Sequence, residues 1–187
     1  MPTLKSWDLK ILVTLNAYFA KHSSFNKILA EYLIYFLPVI LIVVWFWSKE
    51  SKKLALRGLF SIILAWPIFS TIIGKLVNRP RPFEVSGVQE LLFHRPDYSF
   101  PSDHAAALFA LAFSFWFSGA KKLALGVFAY ALVISFFRVA TGIHWPSDIL
   151  AGIVIGLIAA YTIDLFDKPL NIVYNFILKI AHFLRLA

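Results

Sequence analysis

The chain contains no cysteine, which excludes disulfides, thiolate metal sites and thiol nucleophiles. Charge is scarce as well. Asp, Glu, Lys and Arg make up 15% of the 187 residues, against about 25% in a typical soluble domain. The acidic side is the poorer one, with 10 Asp and Glu against 18 Lys and Arg. No stretch has the composition of a linker or a low-complexity tract. Nor is the N-terminal apolar run a good signal peptide, because Asn16 interrupts it and no small-residue cleavage pattern follows before His22.

Apolar side chains fill the space. They make up 60% of the chain, and aromatics 17%. This composition implies an all-α integral membrane bundle. One domain over 1–187 has room for about six transmembrane helices at about 20 residues each. The formal net charge of +8 then reads as contact with anionic lipid at cytoplasmic loops rather than with nucleic acid.

Periodicity places the elements. Over 4–21, Lys10, Thr14, Ala17 and Lys21 fall on one helical face, and Ile11, Leu12, Leu15, Tyr18 and Phe19 on the other. The expectation is an amphipathic helix in the membrane interface, with a short first span as the rival. Candidate spans follow at 28–47, 54–78, 103–118, 122–140 and 147–165. Pro67 kinks the second, and Pro146-Ser147-Asp148 opens the fifth. Gly152 and Gly156 suit close helix packing. The segment 170–186 carries the stripe Asn171, Asn175, Lys179, His182 and Arg185, and is either a sixth span or a second surface helix. Lys49, Lys52, Lys53, Arg57, Lys121 and Lys122 fall on one side, which the positive-inside rule assigns to the cytoplasm. The polar loop 79–101 then lies outside.

Three polar clusters end at that outer face. They are Gly74–Pro82, Ser102–His104 and Arg138–Asp148. Between the last two, an apolar hairpin long enough to go down and come back across a ~30 Å hydrocarbon layer returns the chain to the same side. The residue types suit phosphoryl chemistry. Guanidinium forks on Arg79, Arg81 and Arg138 match phosphate oxygens and spread the charge of the transition state. Ser102 and the first amides of its helix add neutral donors. A neutral imidazole attacks phosphorus. His144 and Asp148, four apart, allow a carboxylate to hold one ring nitrogen while the other attacks. His104 is placed to protonate the leaving oxygen and later to deprotonate water. The arginines supply the positive charge, so neither a metal nor a cofactor is expected. His22, His94 and His182 lack such company and read as interfacial or loop residues. Arg95 is divided between head-group contact and a role in the site.

These residues resemble the three-part signature of the type 2 phosphatidic acid phosphatase superfamily of integral membrane lipid phosphatases. The third motif is an Arg, five residues, a His, three residues, an Asp, matched by Arg138, His144 and Asp148. The second, Pro-Ser-Gly-His in many members, is Pro101-Ser102-Asp103-His104 here, and the Arg-Pro that ends the first is Arg81-Pro82. The resemblance implies a phosphohistidine at His144 oriented by Asp148, with His104 as acid and then base. It implies Arg81, Ser102 and Arg138 as phosphate ligands, and no metal. Size and the aspartate in the second motif are most similar to the bacterial undecaprenyl pyrophosphate phosphatases of the superfamily. That implies a lipid phosphate substrate met in the bilayer, on the extracytoplasmic face of the bacterial cytoplasmic membrane. The sequence departs from the pattern at three places. The family lysine falls at Gly74, leaving Lys75, one residue late, or Arg79 to replace it. Phe137 stands where a serine often precedes the motif arginine. Asp103 replaces glycine and either faces away from the anion or suits a particular head group.

Two other readings use the same residues. A lipid transporter would use the basic cluster as its anion site, although the sequence lacks the paired repeats with broken helices of such folds. A zinc hydrolase would take His104, His144 and Asp148 as ligands. Within the phosphatase reading, phosphatidylglycerol phosphate, phosphatidate and lipid A are alternative substrates, and phosphotransfer to another lipid is a variant of the reaction.

Overall fold

The computed structural model describes residues 6–21, 33–84, 87–92 and 97–186. His22, His94, Arg95 and the start of the 28–47 span lie outside these. All regular structure among the described residues is helical. The helices are α1 (Ser6–Ala20), α2 (Phe36–Trp47), α3 (Ser51–Ile63), α4 (Thr71–Val77), α5 (Asp103–Phe117), α6 (Lys121–Ala140), α7 (Pro146–Leu165) and α8 (Asp167–Phe183). A π-helical turn, Leu64–Ser70, joins α3 to α4 and contains Pro67. Proline has no N–H to give the ladder, and a wide turn absorbs that loss.

The runs Ser51–Glu84, Lys121–Ala140 and Pro146–Leu165 are long and apolar enough to cross a membrane. Helices α2 and α5 are apolar but shorter. The 15 residues of α5 reach only about 22 Å at 1.5 Å per residue. That is short of a ~30 Å hydrocarbon layer, but α5 sits at the centre of the bundle. Every residue from Ala105 to Ala112 is buried, so its neighbours, rather than lipid, set its length. Helix α8 buries only Tyr174 and Ala181 and exposes Ile172, Phe176 and Phe183.

Small residues bring α5 and α7 together. A Cβ on Gly152 would lie 2.7 Å from the Ala105 Cβ and 2.8 Å from the Ser102 carbonyl, and one on Gly156 would lie 2.7 Å from the Ala110 amide. This register makes α5 and α7 parallel, with α6 as the return stroke. Both helices therefore start at the same end, where the Ser102 N–H donates to the Asp148 carbonyl at 3.1 Å. The opposite end carries Lys53 and Arg57. Ser118 lines one cavity with Lys53 and Arg57. Lys53 pairs with Asp167 at 2.9 Å, and Arg57 pairs with Asp164 and, at 3.3 Å, with Asp167.

Helix α1 leaves Trp7, Ile11 and Tyr18 exposed and turns another face to the bundle. Asp8, Leu12 and Asn16, spaced four apart, are all buried. Asn16, read from sequence as a break in an apolar run, is a suture. Its amide donates to the Gln89 carbonyl at 2.9 Å and the Ala140 carbonyl at 3.1 Å, and its oxygen accepts the Gln89 N–H at 2.8 Å.

Candidate active site

The chain turns into the first cluster at Asn78, which closes α4 with a left-handed φ of 44° and an N–H bond to the Gly74 carbonyl at 2.8 Å. From there the clusters interlock. The Ser99 N–H donates to the Arg79 carbonyl at 2.8 Å. The Ser99 hydroxyl and the Trp145 indole both donate to the Pro80 carbonyl, at 3.0 Å each. Arg81 is buried, and its guanidinium donates to Asp97, to the Tyr98 carbonyl and, at 3.0 Å, to the Ile143 carbonyl. Segments far apart in sequence thus meet at one end of the bundle.

His144 is buried, and its Nδ1 lies 2.8 Å from the Ser99 carbonyl. A carbonyl only accepts, so Nδ1 carries the proton, which leaves Nε2 as the basic atom. The four-residue spacing in the sequence allows Asp148 to hold one nitrogen of this ring. In the structure the Asp148 Oδ2 lies 3.6 Å from Nδ1, beyond hydrogen-bond length. Asp148 instead caps its own helix, Oδ2 accepting the Trp145 N–H at 2.8 Å, while Oδ1 accepts from Arg79 at 2.7 Å. Asp148 therefore stands beside the imidazole as a second acceptor behind Ser99.

Arg138, in the last turn of α6, is buried, and its Nε has no hydrogen-bond partner among the described residues. Its charged neighbours are Arg81, Asp103 and Asp97. An arginine is almost never buried without an acceptor, so this unmatched donor fits an anion. Ser102 is buried at the N-cap of α5, with its hydroxyl 3.5 Å from the Ala105 N–H. His104 and Asp103 form part of the wall of a cavity of about 310 Å³ whose other walls are Tyr35, Leu37, Pro38, Trp66 and Ala107. The Asp103 Oδ1 is buried without a hydrogen-bond partner among the described residues.

The two candidates for the family lysine's role, Lys75 and Arg79, differ in their surroundings. Lys75 is exposed on α4. Arg79 is engaged by carboxylates. It donates to Asp8 at 2.8 Å, to Asp148 at 2.7 Å and to the Ser147 hydroxyl at 2.6 Å, and it lies 4.9 Å from the centre of the Trp145 ring. Its charge is satisfied by protein groups. Arg81 is also heavily used, with four of its five N–H donors bonded to protein oxygens. Gly74, at the family lysine position, is where the Tyr98 ring rests: a Cβ there would fall 2.0 Å from a ring carbon. Burial, with Asp103 and Asp97 nearby, pushes the Tyr98 phenol above its usual range, so it stays a neutral hydroxyl.

Asp8, Asp97, Tyr98 and Ser99 were not singled out from the sequence as site residues. Asp8 had a signal, since Asp8, Leu12 and Asn16 share a face at helical spacing. Among the described residues no three His, Asp or Glu groups converge as metal ligands, which weighs against the zinc arrangement.

Known proteins resemble this chain in sequence and in fold. The chain is 34% identical to YbjG of Escherichia coli (strain K12) over 140 residues, 70% of this chain. It spans just under two thirds of that protein, at 66%. It is 29% identical over 154 residues to the undecaprenyl-diphosphatase BcrC of Bacillus subtilis (strain 168), covering 81% of this chain and 78% of BcrC. The crystal structure of LpxE from Aquifex aeolicus has the same fold, with a TM-score of 0.68 and 23% identity over 84% of this chain and 94% of that one. The PAP2 superfamily model matches residues 55–169, from α3 into the start of α8, and with more than half of its length so matched, the chain belongs to the PAP2 superfamily.

Proposed function

We propose that the chain is a membrane lipid phosphatase that removes the terminal phosphate of undecaprenyl pyrophosphate by way of a phosphohistidine at His144. The observation that carries this reading is the pairing of a tautomer-fixed imidazole with a buried guanidinium whose Nε has no partner among the described residues, at one end of a membrane bundle. The substrate is inferred from the name of the B. subtilis relative. An apolar cavity with His104 in its wall supports a lipid leaving group.

Nε2 of His144 attacks the terminal phosphorus, forming a P–N bond as the bridging P–O bond breaks. Arg138, the Ser102 hydroxyl and the one remaining Arg81 N–H bind the equatorial oxygens and spread their charge. His104 gives its proton to the departing lipid phosphate oxygen, then takes one from water as that water cleaves the P–N bond and releases inorganic phosphate. The His144 Nδ1 keeps its proton throughout, donating it to the Ser99 carbonyl, and the nearby Asp148 carboxylate stabilises the charge that develops on the ring. Basic residues at the opposite end, Lys53 and Arg57 among them, support a site on the extracytoplasmic face of a bacterial cytoplasmic membrane.

The test is phosphate release by the purified protein in detergent with a chelator present, from undecaprenyl pyrophosphate, phosphatidylglycerol phosphate, phosphatidate and lipid A at matched detergent ratios. Undecaprenyl pyrophosphate is expected to turn over fastest, with an acid-labile phosphoenzyme trapped on His144. His144→Ala is expected to abolish both signals, and full turnover by that variant would overturn the nucleophile assignment.

A further inference from the structure

We propose that Asp8, on the N-terminal helix, is a positioning residue for the reaction, acting through Arg79 and Asp148 on His144. This rests on the reading of His144 as nucleophile. Asp8 is buried. Its Oδ2 accepts from Arg79 at 2.8 Å and from the Ser147 hydroxyl, and its Oδ1 accepts the Ser147 N–H at 2.9 Å. The Ser147 amide is one of the first amides of α7, which have no partner within their own helix. Asp8 therefore caps α7 from a different helix, at the turn that carries Asp148.

Arg79 completes the link. It holds Asp8 and Asp148 with two different nitrogens, while the Trp145 ring lies against the guanidinium. Asp148 is consequently fixed from both ends, Oδ1 by Arg79 and Oδ2 by the Trp145 amide, in the orientation that leaves Oδ2 3.6 Å from the His144 Nδ1. With Asp8 neutralised, Arg79 has one carboxylate left. The full attraction of the guanidinium then falls on Asp148, and the first turn of α7 loses an anionic cap. The imidazole shifts with that turn, and a displacement of ~1 Å at a reacting group costs up to about 100-fold in rate.

The experiment is a double-mutant cycle on the full-length protein in detergent, with phosphate release from undecaprenyl pyrophosphate as the readout. Asp8→Asn is expected to lower kcat about tenfold or more and leave KM near wild type. In an Asp148→Asn background the same change is expected to cost little, because the two residues act as one unit. Asn16→Ala, which removes the same helix's bonds to Gln89 and Ala140 and leaves Asp8 held by Arg79 and Ser147, is expected to keep kcat. Ser147→Ala removes only the hydroxyl bridge and is expected to lower kcat severalfold with an unchanged melting temperature, which keeps a measurable variant if Asp8→Asn does not fold. Wild-type kcat in Asp8→Asn, or in Ser147→Ala if Asp8→Asn does not fold, would overturn the inference. So would an equal loss from Asp8→Asn in both backgrounds, or an equal loss in Asn16→Ala. Full activity of His144→Ala would instead remove the reading beneath it. Loss in His144→Ala and Asp148→Asn without loss in Asp8→Asn overturns this inference alone.

Discussion

Gly152→Ala tests how closely the site depends on the α5–α7 contact. The new Cβ would sit 2.7 Å from the Ala105 Cβ, 2.8 Å from the Ser102 carbonyl and 3.0 Å from the Ala106 amide. Carbon atoms rest ~3.5–4.0 Å apart, so the helices must separate by about 1 Å. Two of those three atoms are backbone, and no side-chain rotation relieves them. Alanine favours the helix by about 1 kcal/mol over glycine, while overpacking costs ~1–3 kcal/mol. The net loss of stability is therefore at most about 2 kcal/mol, a few degrees in melting temperature. The effect on turnover is larger. Ser102 lies at the point of contact, and its N–H bond to the Asp148 carbonyl ties the two motifs together. A shift of ~1 Å there predicts a fall in kcat approaching 100-fold. Gly126→Ala is the matched control, since a Cβ there meets nothing within 4 Å, and it should gain about 1 kcal/mol or less with kcat unchanged. Phosphate release and thermal unfolding, both in detergent, read the pair. Wild-type kcat and melting temperature in Gly152→Ala would refute the claim that this contact sets the site.

Two further expectations separate chemistry from scaffold. Arg138→Lys keeps the charge but loses the planar fork, so kcat/KM for phosphate release should fall about 100-fold, with an unchanged melting temperature; full activity would deny Arg138 its place on the phosphate. Arg57→Ala, at the far end, breaks the partly buried link to Asp164 and Asp167 and should cost ~1–3 kcal/mol by thermal unfolding, with kcat below the transition untouched; a lower kcat at constant stability would contradict the separation of the two ends.

What the sequence discloses divides by range. Arg138, His144 and Asp148 are close in the chain, and the hairpin length alone brings Ser102 beside them. The structure places the Ser102 amide on the Asp148 carbonyl as that geometry requires. Lys53 and Arg57 likewise fall together at the opposite end. Who holds the His144 proton was not legible, because a backbone carbonyl at Ser99 carries no side-chain signature. Arg79 is a similar case. A guanidinium in a basic cluster reads as a phosphate ligand until the carboxylates of Asp8 and Asp148 are seen on it, and Asp8 is 71 residues away. For α1, periodicity gave the helix correctly but not its partners. A polar residue on the border of an apolar face looks like a flaw unless the groups it bonds are known.

The seat of the Tyr98 ring against Gly74 has an evolutionary corollary. Positions 74 and 98 share one volume, so they must exchange size as a pair. Homologues with a long basic side chain at the first site should carry a small residue at the second, and those with the aromatic ring should keep glycine opposite it. Placing a lysine at position 74 of this chain alone would create a collision rather than a ligand, and only a reciprocal exchange at position 98 restores room.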